Sequence, residues 1–225
     1  MELYVVQFLT GLANAASLFL VASGLSLIFG VTRIVNFAHG AFYMLGAYIA
    51  YSLTMKWQTP LGFWMALLLA AAVVALIGAL IEMALLRRIY HAPELLQLLA
   101  TFGLTLIAED AVRLIWGPED LVGPRAPGLS GAVSVFGSAV PVYDFVLILL
   151  GPIVFALMWV LLHRCRWGLL VRAATQDREM VNALGVNQKW LFTSVFALGV
   201  FLAALGGGLQ IPRDAVTHFM DLSII

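Results

Sequence analysis

The sequence predicts an all-α fold, a polytopic bundle of transmembrane helices. Three observations predict it: an apolar composition, six long apolar segments, and an uneven distribution of basic residues between them. Of 225 residues, 63% are apolar and 11% charged, with a mean hydropathy of +1.01. Soluble domains lie nearer half apolar and a quarter charged. A soluble fold of this size could not cover so much apolar surface with so few charges, whereas lipid solvates it directly.

A helix needs about 20 mostly apolar residues to cross the hydrocarbon core. Six segments qualify: Val5–Val31, Ala38–Leu53, Leu61–Leu86, Leu95–Ile115, Val142–Leu162 and Leu191–Ile211. The first lies in an apolar run, Leu3 to Val31, that is too long for a cleaved signal and follows no basic stretch. The second is short and opens on polar residues. No run alternates as a membrane strand would, so strands are not expected. The 116–141 loop, with Pro118, Pro124, Pro127 and Pro141, reads as turns. Trp57, Trp64, Trp116, Trp159, Trp167 and Trp190 fall near span ends, as interfacial anchors do.

Basic residues orient the bundle. Arg33, Arg87, Arg88, Arg164, Arg166, Arg172, Arg178 and Lys189 share one side; Lys56, Arg125 and Arg213 share the other. The positive-inside rule makes the first side cytoplasmic and places the N-terminus outside. No linker or repeat divides residues 1–225, which read as one domain. Apolar residues resume in the terminal stretch Asp221–Ile225, so a further helix is expected to begin there and the domain to be incomplete.

Several chemistries are not expected. Zero formal charge offers nothing to nucleic acid. Cys165 stands alone and reads as a small filler at a helix end; no Cys/His spacing suits a metal, and no cofactor is implied. No phosphate loop, dinucleotide fingerprint, zinc-protease or nucleophile-elbow motif occurs, so the chain reads as no enzyme.

Two segments stand out. Asn36, Phe37, Ala38, His39 and Gly40 lie where the second span begins. Such residues suit an unwound helix start lining a wet pathway, because irregular backbone at membrane depth must be shielded from lipid. They also suit a simple helix start capped by Asn36. The second segment is 172–184, read as one short amphipathic helix. Ala173, Gln176, Met180, Ala183 and Leu184 recur at helical spacing against polar Arg172, Asp177, Arg178 and Glu179. Gly185 provides a left-handed stop. Such a helix either docks into a partner's groove or lies on the headgroups.

Among charges near the spans, Glu109 and Asp110 sit one turn from Arg113, as local neutralisation near the outer interface or as a proton relay. Glu82 reads as interfacial. Gly11/Ala15, Gly46/Ala50 and Ala203/Gly207 mark faces for close helix approach, and Gly206-Gly-Gly208 is a packing notch or a hinge.

Asn36-Phe-Ala-His-Gly40 with Tyr43, Met44 and Gly46 resembles the second-helix signature of bacterial branched-chain amino acid ABC transporter permeases. Arg172-Ala-Ala-Thr-Gln-Asp177 through Ala183-Leu-Gly185-Val-Asn187 is similar to that family's cytoplasmic coupling loop, here 163–190. Arg172 replaces the glutamate that many ABC importers carry there, as is usual in the branched-chain group. The resemblance implies a permease subunit of an importer in the bacterial inner membrane. Its expected partners are a second similar permease, two cytoplasmic ATP-binding subunits, a periplasmic substrate-binding protein and membrane lipid. Its substrate pathway would include Asn36–Gly40. Its ATPase-coupling residues would be Arg172, Ala173, Gln176, Asp177, Met180, Ala183, Leu184 and Gly185. Related permeases carry leucine-like and other amino acids, amides or urea. The alternative from another class is a proton-coupled secondary transporter of small polar solutes, relayed through Glu109, Asp110 or His39.

Overall fold

A computed structural model describes residues 2–34, 36–90, 92–135 and 138–220. The chain order is α1 (Glu2–Thr32), α2 (Ala38–Lys56), α3 (Pro60–Ile89, with a π turn at Glu82–Leu86), α4 (Glu94–Trp116), β1 (Ala132–Val135), β2 (Ser138–Pro141), α5 (Val142–Arg164), α6 (Arg166–Gln176), α7 (Arg178–Ala183) and α8 (Gln188–Gln210). Local chemistry sets several ends. Thr59 caps α3 by accepting from the Gly62 N–H at 3.1 Å, with Pro60 in the first turn. Asn187 caps α8 by accepting from the Trp190 N–H at 3.2 Å. Gly117, at φ +88°, ends α4.

Among the described residues, five helices are long and apolar enough to cross a membrane: α1, α3, α4, α5 and α8. The sixth expected span forms α2, and its shortness has a structural reason. Twelve of its residues are buried by neighbouring helices, so it needs little lipid-facing apolar surface. At the centre of the bundle, α8 packs against α1, α2 and α3, while α4 lies on α2 and α5 on α1. Outward leucines such as Leu95, Leu99 and Leu114 on α4 and Leu149 and Leu157 on α5 are exposed, as lipid-solvated faces are.

Small residues make the central crossings possible. A Cβ on Gly46 would meet the Ala204 backbone, one on Gly207 the Tyr43 carbonyl, and one on Gly24 the Gly199 carbonyl. The three consecutive glycines face three different helices: Gly206 meets Val21 of α1, Gly207 meets α2, and Gly208 meets Leu67 of α3. Since α8 runs unbroken through them, they form a packing notch. Gly11 has nothing within 4 Å of its would-be Cβ, so that expected contact face is unused among the described residues.

Three further expectations need correction. The 116–141 loop holds an antiparallel hairpin, Ala132↔Pro141 through Val135↔Ser138; its four-residue strands are too short for sequence periodicity to register, and Val140 is buried. The single helix over 172–184 is instead two helices, broken at Asp177 (φ −145°, ψ 105°). Cys165 is exposed and so is no core filler. The helix expected to begin at Asp221–Ile225 lies outside the described residues.

Candidate functional site

Between α1 and α2 the chain turns through a non-helical elbow. Arg33 takes φ +56°, a left-handed conformation uncommon outside glycine. The helix resumes at Ala38, so Phe37 precedes it in αR geometry, and His39 and Gly40 are already helical. The irregular start is therefore shorter than the five residues expected. Asn36 does not act as an N-cap. Its side chain is buried, and neither amide atom has a hydrogen-bond partner among the described residues. His39 is buried with Nε2 3.0 Å from the Val21 carbonyl, which makes Nε2 the donor and leaves Nδ1 unpartnered. On the same helix the Tyr48 hydroxyl is also buried without a partner. Buried polar groups without partners cost about 1–3 kcal/mol each, so these three residues call for a reason.

The 163–190 segment forms a two-helix projection at the same end of the bundle. Val171, Ala174 and Val181 pack with Val31 of α1 and Leu191, Phe192 and Val195 of α8. Arg33 Nη2 donates to the Thr175 carbonyl at 3.1 Å, and Trp167 Nε1 donates to Ser194 Oγ at 2.8 Å. Asp177 interrupts the helix because its carboxylate accepts from the Met180 N–H at 2.9 Å and caps α7. Gly185 takes φ +82°, the left-handed stop its position implied. Arg172, Gln176, Asp177, Met180, Ala183, Leu184 and Gly185 are exposed; Ala173 is half-buried. Met180 is 58% exposed and Leu184 75%, an apolar pair with nothing over it.

Sequence reasoning missed the polar junction that joins α8 to the end of α3. Glu82 is fully buried, not interfacial. Its carboxylate holds Arg87 at 3.0 Å and accepts from Tyr90 Oη at 3.0 Å and from Thr193 Oγ1 of α8 at 2.6 Å. In an α-helix, residues five apart point about 140° from each other. The π turn at Glu82–Leu86 stacks Glu82 and Arg87 on one face instead. Burial and the adjacent carboxylate keep the Tyr90 phenol above its ordinary range. A second missed pair, Asp144–Arg213 at 3.2 Å, ties α5 to the segment after α8 at the opposite end. Glu109 pairs with Arg113 at 3.8 Å, the local neutralisation read from sequence. Among the described residues no three His, Cys, Asp or Glu side chains are grouped as metal ligands would be.

A glycine-notched central helix, lipid-suited outer helices and a short projection on one face together define a polytopic helical membrane protein. A family model described as the permease component of branched-chain amino acid transport systems matches residues 7–224, and the chain belongs to that family. It is 29% identical over 218 residues to the high-affinity branched-chain amino acid transport system permease protein BraD of Pseudomonas aeruginosa, covering 92% of this chain and 70% of that relative. Similarity to LivH of Escherichia coli K12 is 25% over 218 residues, with 92% and 70% covered. The probable branched-chain amino acid transport permease LivH of Methanocaldococcus jannaschii is 25% identical over 222 residues, with 92% and 67% covered. No solved structure is significantly similar.

Proposed function

We propose that this chain is the membrane-spanning permease subunit of an ATP-driven importer for branched-chain or related amino acids, with its N-terminus outside the bacterial inner membrane. The observation that carries the reading is the 163–190 projection. It offers exposed Met180 and Leu184 outward and is fastened inward to α1 and α8 by Val171, Ala174 and Val181. Force applied to the projection therefore reaches the central helix directly. One of two ATP-binding subunits would grip Arg172, Ala173, Gln176, Asp177, Met180, Ala183 and Leu184, and Gly185 would set the angle at which the chain returns to the membrane. A second, similar permease would complete the pathway, and a periplasmic binding protein would deliver substrate.

Asn36–Gly40 are the proposed pathway element of this subunit. The support is the unpartnered Asn36 amide and His39 Nδ1 beside an elbow held in left-handed geometry. Groups without partners in one arrangement are suited to gaining them in another, when the bundle opens to substrate.

The test replaces Asp177 and Gly185 together with bulky residues in the assembled transporter. The cap lost at Asp177 and the strain at φ +82° would each cost about 1 kcal/mol in the projection alone. Uptake is expected to fall at least tenfold while membrane insertion persists. Cysteines at Gln176 and Ala183 should cross-link to a nucleotide-hydrolysing subunit. Unchanged uptake with no such cross-link would defeat the reading.

A further inference from the structure

Outside the groups already given a role, the least satisfied charge is Arg178. Its Nε and Nη2 are buried and have no hydrogen-bond partner among the described residues. The side chain does not point outward with Met180 and Leu184. It lies back over the Phe192 ring of α8, with the guanidinium carbon 5.5 Å from the ring centroid. Arg33, at the end of α1, lines the same cavity of about 420 Å³, together with Tyr90, Gln97 and Gln176. Burial and the charge of Arg33 both work against the charged form of Arg178. Carboxylates do reach this cavity: Glu94, Asp177 and Glu179 line it. None of them forms an ion pair with either arginine among the described residues, and Asp177 spends its carboxylate on the α7 cap.

Arg178 brings two unspent donors to this cavity, and Arg33, whose Nη2 already holds the Thr175 carbonyl, brings a second positive charge; together they form the receiving half of an anion site, since arginine forks match phosphate oxygens two at a time. The position of the cavity identifies the anion's source. Glu94 and Gln97 belong to the first turn of α4, whose Leu95, Leu96 and Leu99 are exposed apolar residues. Arg33, Tyr90 and Phe192 lie at or beside the ends of α1, α3 and α8. The cavity thus opens beside a lipid-suited surface at the ends of the spans, where cationic side chains meet the phosphates of anionic lipids.

We propose that the cavity between Arg33 and Arg178 binds the phosphate group of an anionic membrane phospholipid. Arg178 turns its unpaired edge toward the phosphate, Arg33 supplies the second cation, and the acyl chains lie along the exposed leucines of α4. A lipid held there bridges α1, α4 and α7, and so stiffens the root of the projection.

The test is native mass spectrometry of the full chain in neutral detergent, titrated with phosphatidylglycerol or with phosphatidylcholine of the same acyl chains. The chain is expected to retain phosphatidylglycerol in preference to phosphatidylcholine. Arg178→Gln and Arg33→Gln should each weaken that retention about fivefold, with Arg178→Lys keeping part of it. Arg164→Gln, an exposed cation at the end of α5 outside the cavity, should leave it unchanged. Circular dichroism melting confirms that each variant is folded, and Arg33→Gln carries the test alone if Arg178→Gln is not. Equal retention of the two lipids, or undiminished retention in a folded Arg178→Gln or Arg33→Gln chain, would overturn the proposal. So would displacement of the lipid by millimolar inorganic phosphate, which would make this a free-phosphate site. Capture of a partner protein's carboxylate by a cross-linker at position 178, with no lipid retained, would overturn it too. Because no uptake is measured, the result is independent of the transport reading.

Discussion

Glu82 shows what single residues do in this bundle. A carboxylate with no exposed surface near the end of a membrane helix is tolerable only if every lone pair is used, and here a guanidinium, a phenol and a hydroxyl use them. Removing the charge leaves Arg87 facing a weaker partner. Glu82→Ala is expected to destabilise the chain by about 3 kcal/mol and Glu82→Gln by less, read as loss of thermal stability in detergent. Asn36 should behave oppositely. Its amide has no partner to lose, so Asn36→Leu is expected to leave thermal stability unchanged or raise it by about 1 kcal/mol. In the assembled transporter the same variant should lower uptake strongly if the elbow lines the pathway. A variant that is both destabilised and fully active would contradict both parts of that argument. In the sequence Glu82 and Asn36 are similar, each a polar residue at a span end; only their neighbours separate them.

Among the elements, α8 has the strictest demands. It is central, and its glycines let three other helices approach its backbone. A valine side chain at position 207 cannot be relieved by a rotamer change, because the obstacle is the Tyr43 carbonyl of α2. Gly207→Val is expected to cost at least 2–3 kcal/mol, in the upper range of overpacking, and to lower the yield of folded protein on size exclusion. Gly11→Val is the matched control, since open space surrounds that position and stability should not change. The sequence proposed both positions on the same small-residue argument. Spacing identifies which helices are able to approach closely, but not which do.

For the whole molecule, the testable quantity is orientation. Cys165 is the single cysteine of the chain and is exposed at the junction of α5 and α6, on the face that carries the projection. A membrane-impermeant thiol reagent is expected to label it in inverted vesicles and not in intact cells. Labelling of intact cells would reverse the orientation read from basic residues and would remove the projection from the side where ATP is found. At this scale the six helical segments found from apolar runs all form helices, with every end within three residues of the expected one. That agreement has a plain cause: lipid thickness fixes how long an apolar helix must be, so hydrophobic length is readable locally.

The same locality marks what the sequence determined unaided. Apolar segments, the stop at Gly185 and the face that carries Met180 and Leu184 all depend on residues a few positions apart. Tertiary structure alone decided the burial of Glu82 by Thr193 of a distant helix, the Asp144–Arg213 tie and the choice of glycines that touch. Each of these depends on what a far part of the chain brings to the same place, and a pattern of one-dimensional spacings contains no term for that meeting.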